Sequence, residues 1–459
     1  MIADFKHKRV TVMGLGRFAG GVGVTRWLAA QGARLLVTDT KPLAELGDSI
    51  AQIADCGAKL RLGGHREQDF VETDLVVVNP AVPDSSPFLG AARRAGVEVT
   101  TEMNLFVERC PARTVGVTGS VGKSTVTAMI GHVLERTLAD ARVWVGGNLG
   151  RSLLDALGQI AARDVVVLEL SSFQLQRTPL VCWSPQVAVL TGVTPNHLDW
   201  HGTFAAYLAA KLNIVRFQDA ERSAFILHDD PGLRRHVELM FGDVSGVWRY
   251  GLDGDEPRAL LQETAAVDCD TQRVTWPGVR LGVPGRHNLE NAAAALTAAH
   301  VLGVDPRASA AAISTYKALP HRLQRVAVRG GVAYYNDSKS TTPESAITAM
   351  NAIDAPLLVI LGGYDKGIDL SPAARLAAQR AKFAACIGQT GRQIVDLIRQ
   401  AGGQADFFDG LPEALAACRA RAAVGDAVLL SPACASWGMF SDYRQRGDEF
   451  SRLAQEAPD

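Results

Sequence analysis

The chain carries almost no net charge, pairs none of its cysteines as Cys-x-x-Cys and contains no long uninterrupted apolar run. A formal charge of −1 at pH 7 gives no molecule-wide field to draw in nucleic acid or an anionic membrane. Seven scattered cysteines, an odd number, argue against a disulfide framework or a zinc site and for reduced thiols in a cytosol. Charges, Gly or Pro break every apolar stretch before it reaches membrane-spanning length. The opening residues Met1 to Arg9 lack the apolar core of a signal peptide, so a cytoplasmic location is expected. Internal repeats and low-complexity tracts are also missing. What remains is an ordinary globular composition, 47% hydrophobic and 21% charged, in 459 residues. That length exceeds what one core usually serves, so two to four domains are expected.

Residues 1–108 alternate short β-branched runs (Arg9–Met13, Arg34–Thr38, Leu75–Val78, Val97–Thr100) with helical patterns (Val22–Ala30, Leu43–Cys56, Pro87–Ala95). Such alternation predicts parallel strands with right-handed crossovers. The first loop, Gly14 to Gly21, and Asp39 at the end of the second run resemble a dinucleotide fingerprint. An NAD-dependent enzyme is the alternative there, because a Gly-rich first turn serves any diphosphate nucleotide. A second α/β unit opens near Cys110-Pro111, with strands expected at Arg142–Val145, Asp164–Leu168 and Gln186–Leu190 and helices at Phe204–Phe217 and Asn288–Leu302. The more polar stretch from Ala224 to Val283 reads as connecting hairpins. Near Leu319 the pattern restarts, with strands expected at Val332–Asn336, Leu357–Leu361, Phe383–Ile387 and Ala427–Leu430. The expectation is an α/β protein of three domains, 1–108, 109–319 and 320–459, each on a mostly parallel sheet.

The sharpest motif is Thr118-Gly119-Ser120-Val121-Gly122-Lys123-Ser124-Thr125, between an apolar strand and a helix. Small residues let the backbone wrap phosphates, and N–H groups at a helix start meet negative charge. Lys123 is placed to reach the outer phosphates and Ser124 to ligate Mg²⁺. Val117 stands where the full pattern has a first Gly, so the strand–loop–helix context carries the reading. Glu169 ends an apolar strand, where open parallel sheets bind ligands; it either ligates a metal or merely closes the strand. His197 follows the next strand and gains interest only from Glu169 beside it. Lys211, on an amphipathic helix, reads by itself as a solvated lysine. Asn336 to Thr341 and Gly362 to Gly367 are lysine-bearing loops after strands that suit an anionic substrate or are plain turns. Ser431 to Ser436 offers hydroxyl and N–H donors; Cys434 has no basic neighbour in sequence and is not read as a nucleophile.

Taken in order, these clusters resemble the Mur ligases, and within them the D-glutamate-adding branch. The resemblance runs through Thr118–Thr125, Gly146–Gly150, Leu168–Gln174, His197, Lys211, Gly285–Asn291, Leu319–Arg322, Asn336–Thr341, Gly362–Lys366, Ser431–Ser436 and Tyr443–Phe450. It implies a UDP-binding domain, a central ATPase domain and an amino-acid-binding domain. The implied reaction moves the ATP γ-phosphate to a carboxylate, and the amine of D-glutamate then displaces phosphate from the acyl phosphate. The implied substrates are ATP, UDP-N-acetylmuramoyl-L-alanine and D-glutamate, in a cytoplasmic monomer without nucleic-acid or membrane partners.

The same resemblance implies roles for single residues. Lys123, Glu169, His197 and Lys211 are catalytic. Ser124, Glu169, His197 and a carbamylated Lys211 hold two Mg²⁺ ions. Gly119, Ser120, Gly122, Lys123, Ser124, Thr125, Asn288, Asn291, Arg322 and Asp337 bind ATP. Leu15, Gly16, Asp39, Thr40, Lys41, Asn148 and His197 face the UDP substrate, and Lys339, Thr341, Ser436 and Tyr443 surround D-glutamate. Departures from the usual pattern are Val121, Asn196, Trp200, Thr342 and Trp437. Other readings are an L-alanine-adding or folylpolyglutamate-type ligase, or a nucleotide-binding regulator without turnover. The hundred or so residues before the phosphate loop favour a UDP-sugar substrate over a folate.

Overall fold

The computed structural model describes residues 4–16, 19–150, 152–241, 246–262 and 270–456. Arg17 and Phe18 of the first glycine loop, and Cys269, lie outside them. The fold is α/β, with three domains each built on a mostly parallel sheet. The first sheet contains β1 (Arg9–Met13), β2 (Arg34–Asp39), β3 (Lys59–Leu62), β4 (Leu75–Val78) and β5 (Glu98–Thr100), all parallel, in the order β3-β2-β1-β4-β5. The Leu-Val-Val-Val run of β4 is buried along its whole length, as a parallel strand covered on both faces should be. Strand β1 sits between β2 and β4, so the glycine loop after it opens at the point where strand order reverses.

The second sheet contains β6 (Arg113–Thr118), β7 (Val143–Gly147), β8 (Val165–Glu169), β9 (Val187–Leu190), β10 (Ala224–His228), β11 (Val247–Asp253), β12 (Glu256–Gln262) and β13 (Asp270–Thr275). Its order is β13-β12-β11-β10-β9-β6-β8-β7, parallel from β7 through β11 and antiparallel for β11-β12-β13. Here β6 lies between β8 and β9, which brings three loops to one edge. The third sheet contains β14 (Gln324–Arg329), β15 (Val332–Asn336), β16 (Leu357–Gly362), β17 (Ala381–Ile387), β18 (Ala405–Phe408) and β19 (Ala427–Leu430), in the order β14-β15-β19-β16-β17-β18. Only β14 runs antiparallel. The chain forms two compact units. Met1–Pro277 with Asn291–Ala312 carries the first two sheets, and Gly278–Glu290 with Ile313–Asp459 carries the third.

Several local expectations need correction. The stretch from Ala224 is not all hairpins: β10 joins the parallel sheet and is followed by helix Pro231–Phe241 before the antiparallel β11–β13. The helix expected over 43–56 stops at Ala51, and a short 3₁₀ turn, Ala54–Cys56, ends in a left-handed Gly57. The helix expected to reach Phe217 ends at Leu212. Strand β3 went unread because Lys-Leu-Arg-Leu is only four residues long, and its Leu60–Leu62 face is incompletely covered, as suits an edge strand that buries little.

Candidate functional site

The phosphate loop leaves β6 and enters helix Lys123–Thr137. Two glycines are required there for different reasons. At Gly119 (φ +149°) a Cβ would fall 1.9 Å from Thr191 Oγ1, and at Gly122 (φ +84°) it would fall 2.5 Å from Asn291 Oδ1. Only a bare backbone fits both. The neighbouring strand fastens the loop: the Ser120 N–H donates to Gly192 O (2.9 Å), and Thr191 Oγ1 donates to Val121 O (2.6 Å). Ser120 Oγ donates to Thr194 O (2.8 Å), accepts from the Thr194 N–H (3.0 Å) and meets the Tyr207 hydroxyl (3.0 Å). Ser120 therefore secures the loop with both its backbone N–H and its hydroxyl. Lys123 Nζ donates to Ser120 O at 3.0 Å, and the Ser124 side chain is buried beneath the loop.

On one side of the loop, β8 delivers Glu169, which is only 2% exposed. Asn148 donates Nδ2–H to Glu169 Oε1 (2.7 Å) and its backbone N–H to Glu169 O (2.8 Å). This close approach needs Gly147, where a Cβ would lie 2.3 Å from Glu169 O. Glu169 Oε2 is buried with no hydrogen-bond partner, an expensive arrangement for a carboxylate oxygen and one a cation would relieve. On the other side, after β9, the exposed His197 has a left-handed backbone (φ +52°) and its ring packs on Phe173 at 5.0 Å. Although the residue is exposed overall, protein packed around its ring partly desolvates it and lowers the His197 pKa; the nearby Asp199 opposes this, and the charges of Lys211 and Lys123 add to it.

Lys211 is 1% exposed and donates to Gly119 O at 2.7 Å. Burial, reinforced by Lys123 and opposed by Glu169, brings its pKa from 10.5 down to about 6. A lysine held neutral at pH 7 is a nucleophile and not a fixed cation. Tyr207, one helical turn earlier, places its ring 4.5 Å from Lys211 Nζ and its hydroxyl on Ser120. Sequence reasoning missed Tyr207; its i, i+4 spacing from Lys211 was the available signal. Lys123, Glu169, His197, Lys211, Asn148 and Asn291 thus all lie in the first compact unit, around the carboxyl ends of β6, β8 and β9. Among the described residues no cluster of three or more His, Cys, Asp or Glu side chains could hold a metal. A divalent ion here needs further donors, such as hydroxyl, imidazole, water or phosphate, to complete the set that Glu169 begins.

In the first domain, Asp39 Oδ2 accepts from the Gly16 N–H (3.0 Å) and Oδ1 from the Lys41 N–H (2.9 Å), so one carboxylate ties the glycine loop to the turn after β2. The Leu15 side chain is fully buried in the core, which leaves only its backbone for a ligand. Thr40 is exposed, and Lys41 Nζ reaches Glu45 at 3.8 Å.

In the second compact unit, Asp337 is buried after β15 and accepts from the Leu323 N–H (3.0 Å) and Ser431 Oγ (2.8 Å). Burial raises its pKa from 3.8 to about 6, and Arg322 is one of the groups opposing the rise. Asn288 is buried and donates to Pro284 O. Lys339 Nζ lies 3.8 Å from the centre of the Tyr443 ring. Thr341, Tyr364, Lys366, Thr390 and Cys434 line a small hollow open to solvent. Buried Ser436 follows Cys434 in the loop after β19.

Three family models cover the chain in order. They are the Mur ligase MurD-like N-terminal domain (residues 8–101), the Mur ligase middle domain (117–299) and the Mur ligase glutamate ligase domain (321–434). The chain belongs to the Mur ligase family. It is similar to two proteins named UDP-N-acetylmuramoylalanine--D-glutamate ligase. One is from Symbiobacterium thermophilum, 36% identical with 98% of each chain covered, and one from a Roseiflexus species, 38% identical with the same coverage. Among solved structures it resembles the UDP-N-acetylmuramate-alanine ligase of Thermotoga maritima, at a TM-score of 0.58 and 20% identity over 98% of this chain and 99% of that one. It also resembles the MurF ligase of Thermotoga maritima in complex with ADP, at a TM-score of 0.56 and 17% identity over 99% of each chain. At that identity the structures speak for the fold alone.

Proposed function

We propose that this chain is an ATP-dependent ligase that joins D-glutamate to UDP-N-acetylmuramoyl-L-alanine in cytoplasmic peptidoglycan precursor synthesis. The observation that carries the reading is the grouping of a phosphate loop, an unpartnered carboxylate oxygen and a depressed-pKa lysine at one sheet edge. Full-length similarity to D-glutamate ligases, first domain included, supports it. In this reading residues 1–108 bind the uridine nucleotide, 109–319 bind ATP and 320–459 bind the amino acid. The enzyme acts as a monomer.

The chemistry asks for charge control and position. Lys123 moves from the Ser120 carbonyl to the outer phosphates of ATP, with Gly119, Gly122, Ser124 and Thr125 lining the loop. Asn288, Asn291, Arg322 and Asp337 hold the rest of the nucleotide. The neutral Lys211 amine attacks CO₂ and releases a proton, which converts an uncharged amine into an anionic oxygen donor. Ser124, Glu169, His197 and carbamylated Lys211 would hold Mg²⁺, which when bound neutralises the crowded phosphate and carboxylate oxygens. Asn148 fixes the Glu169 carboxylate and, with His197, presents the substrate carboxylate to the γ-phosphate. The Leu15 backbone, Gly16, Asp39, Thr40 and Lys41 bind the UDP group. Lys339, Thr341, Ser436 and Tyr443 orient D-glutamate so that its amine displaces phosphate from the acyl phosphate.

The test is phosphate release from ATP in the presence of UDP-N-acetylmuramoyl-L-alanine and a panel of amino acids. Release that depends on D-glutamate is expected. Release only with L-alanine and UDP-N-acetylmuramate, or only with a folate acceptor, would assign the chain to another branch. No release with any partner would favour a nucleotide-binding regulator.

A further inference from the structure

Arg446, on helix Tyr443–Gln455, is among the largest fully buried side chains of the protein. Its Nε donates to Ser338 Oγ (2.9 Å), its Nη2 to Ser338 O (2.9 Å) and its Nη1 to Cys434 O (3.1 Å). Ser338 lies in the loop after β15 and Cys434 in the loop after its sheet neighbour β19. A third loop, after β16, also closes on the guanidinium: a Cβ added at Gly363 would come 3.3 Å from Arg446 Nη1. Ser338 Oγ in turn donates to Tyr443 O at 2.8 Å, on the same helix whose Tyr443 ring supports Lys339. One side chain therefore hydrogen-bonds the loops that bear Lys339 and Ser436 and packs closely against the loop that bears Lys366.

All three acceptors of Arg446 are neutral, and no carboxylate of the described residues forms an ion pair with it. Burial lowers its pKa to about 10, so the group remains charged at neutral pH. A buried cation without a counter-charge is costly, and where packing alone matters an apolar side chain of similar size does as well or better. A planar guanidinium can meet three separated acceptors in one fixed geometry, which an ammonium cannot. The cation also adds positive potential beneath loops that already present two lysines, where a dicarboxylic amino acid brings two negative charges.

We propose that Arg446 is a positioning residue for the amino-acid substrate. It holds the three strand-end loops in register, and its uncompensated charge favours a dicarboxylate over the same loops. The inference rests on the ligase reading above and assigns Arg446 no contact with the reacting atoms.

The test compares Arg446→Lys, Arg446→Met and Ser338→Ala with wild type in the full-length protein, by D-glutamate-dependent phosphate release and thermal melting. Arg446→Lys, which keeps the charge and loses the fork, is expected to raise KM for D-glutamate about tenfold. Arg446→Met, which loses both, should raise it about a hundredfold. KM for ATP and for the UDP substrate should stay within about twofold in each variant. Ser338→Ala, which leaves the cation in place, should raise KM for D-glutamate about threefold, and it decides the matter if the Arg446 variants do not fold. Folded variants whose KM for D-glutamate is unchanged, or whose three KM values rise together, would overturn the positioning role. Wild-type protein that releases no phosphate with D-glutamate would overturn the ligase reading and this inference together.

Discussion

Replacing Asp337 with Asn should make the third domain more stable at neutral pH, although the change removes a charged group. Asp337 is 6% exposed, and burial raises its pKa to about 6 against an ordinary 3.8. Between those two values the folded chain binds the proton that the unfolded chain has lost. Stability from this group is therefore fully present below about pH 4, declines as pH rises, and is lost above about pH 6. The accumulated loss at pH 7 is about 3 kcal/mol. Asparagine escapes it: its amide oxygen can still accept from the Leu323 N–H, and its NH₂ can donate to the Ser431 hydroxyl, which rotates to accept. Imperfect hydrogen bonds should return about 1 kcal/mol, leaving a net gain of about 1–2 kcal/mol at pH 7 and none near pH 4. A multidomain chain need not unfold in one step, so amide hydrogen exchange along β15 and β19 is the suitable assay. Wild-type protection should fall by up to about 1.4 kcal/mol per pH unit through the window, and the variant should be flat. A destabilised variant whose pH slope matches wild type would show that Asp337 is already ionised and well solvated, and the reasoning would fail.

The remaining predictions concern the phosphate-loop site. Lys211→Ala should nearly abolish turnover, and acetate or formate should restore part of it by supplying the missing oxygen donor. A variant that keeps wild-type phosphate release without such help would remove Lys211 from the mechanism. Glu169→Gln keeps an oxygen for Asn148 and replaces the unpartnered Oε2 with an amide. Phosphate release should drop by at least about a hundredfold while the melting temperature holds or rises; a sharp fall in melting temperature would mean that Oε2 is well bonded in the fold. Gly119→Ala puts a methyl 1.9 Å from Thr191 Oγ1 at a backbone angle that L-residues rarely adopt. Calorimetry should show ATP binding lost, and unchanged affinity would mean the loop is not held as described.

Much of the site could be read from the chain because its signals are local. The apolar runs that became β6 and β8 end in polar Thr118 and Glu169, the run that became β9 leads directly into Thr191, and the phosphate loop announces itself within eight positions. The adjacency of those loops is not local. It follows from β6 pairing with both β8 and β9, and no single strand encodes its partners. Lys211 shows the same limit: its sequence neighbourhood is that of a solvated helix face, and only the family resemblance gave it a role. Its hydrogen-bond partner, Gly119 O, lies 92 residues away. Tyr207 and Arg446 act across 87 and 108 residues, on Ser120 and Ser338; the spacing from Lys211 points to Tyr207 but not to Ser120, and nothing near Arg446 hints at its contact. Helix Pro231–Phe241 was misread for a different reason. Only Leu233 and Val237 are buried in it, too few to stamp a helical period on a polar stretch.

The two lysines that donate to the phosphate loop explain how such a site stays ordered. Lys123 and Lys211 donate to successive loop carbonyls, Ser120 O and Gly119 O. The loop N–H of Ser120 is meanwhile taken by Gly192. Two ammonium groups this close would repel, and burial with Lys123 nearby keeps Lys211 neutral near pH 7. Glu169 pulls the other way, yet its free Oε2 is not spent on either lysine. The arrangement thus places Lys123, the neutral Lys211 amine and the unpartnered Glu169 Oε2 around a single loop system. Each is a group whose charge or bonding improves when a phosphate, CO₂ or a divalent cation is added. Binding energy from those additions goes into relieving strain the fold already carries, so the three should bind with positive coupling.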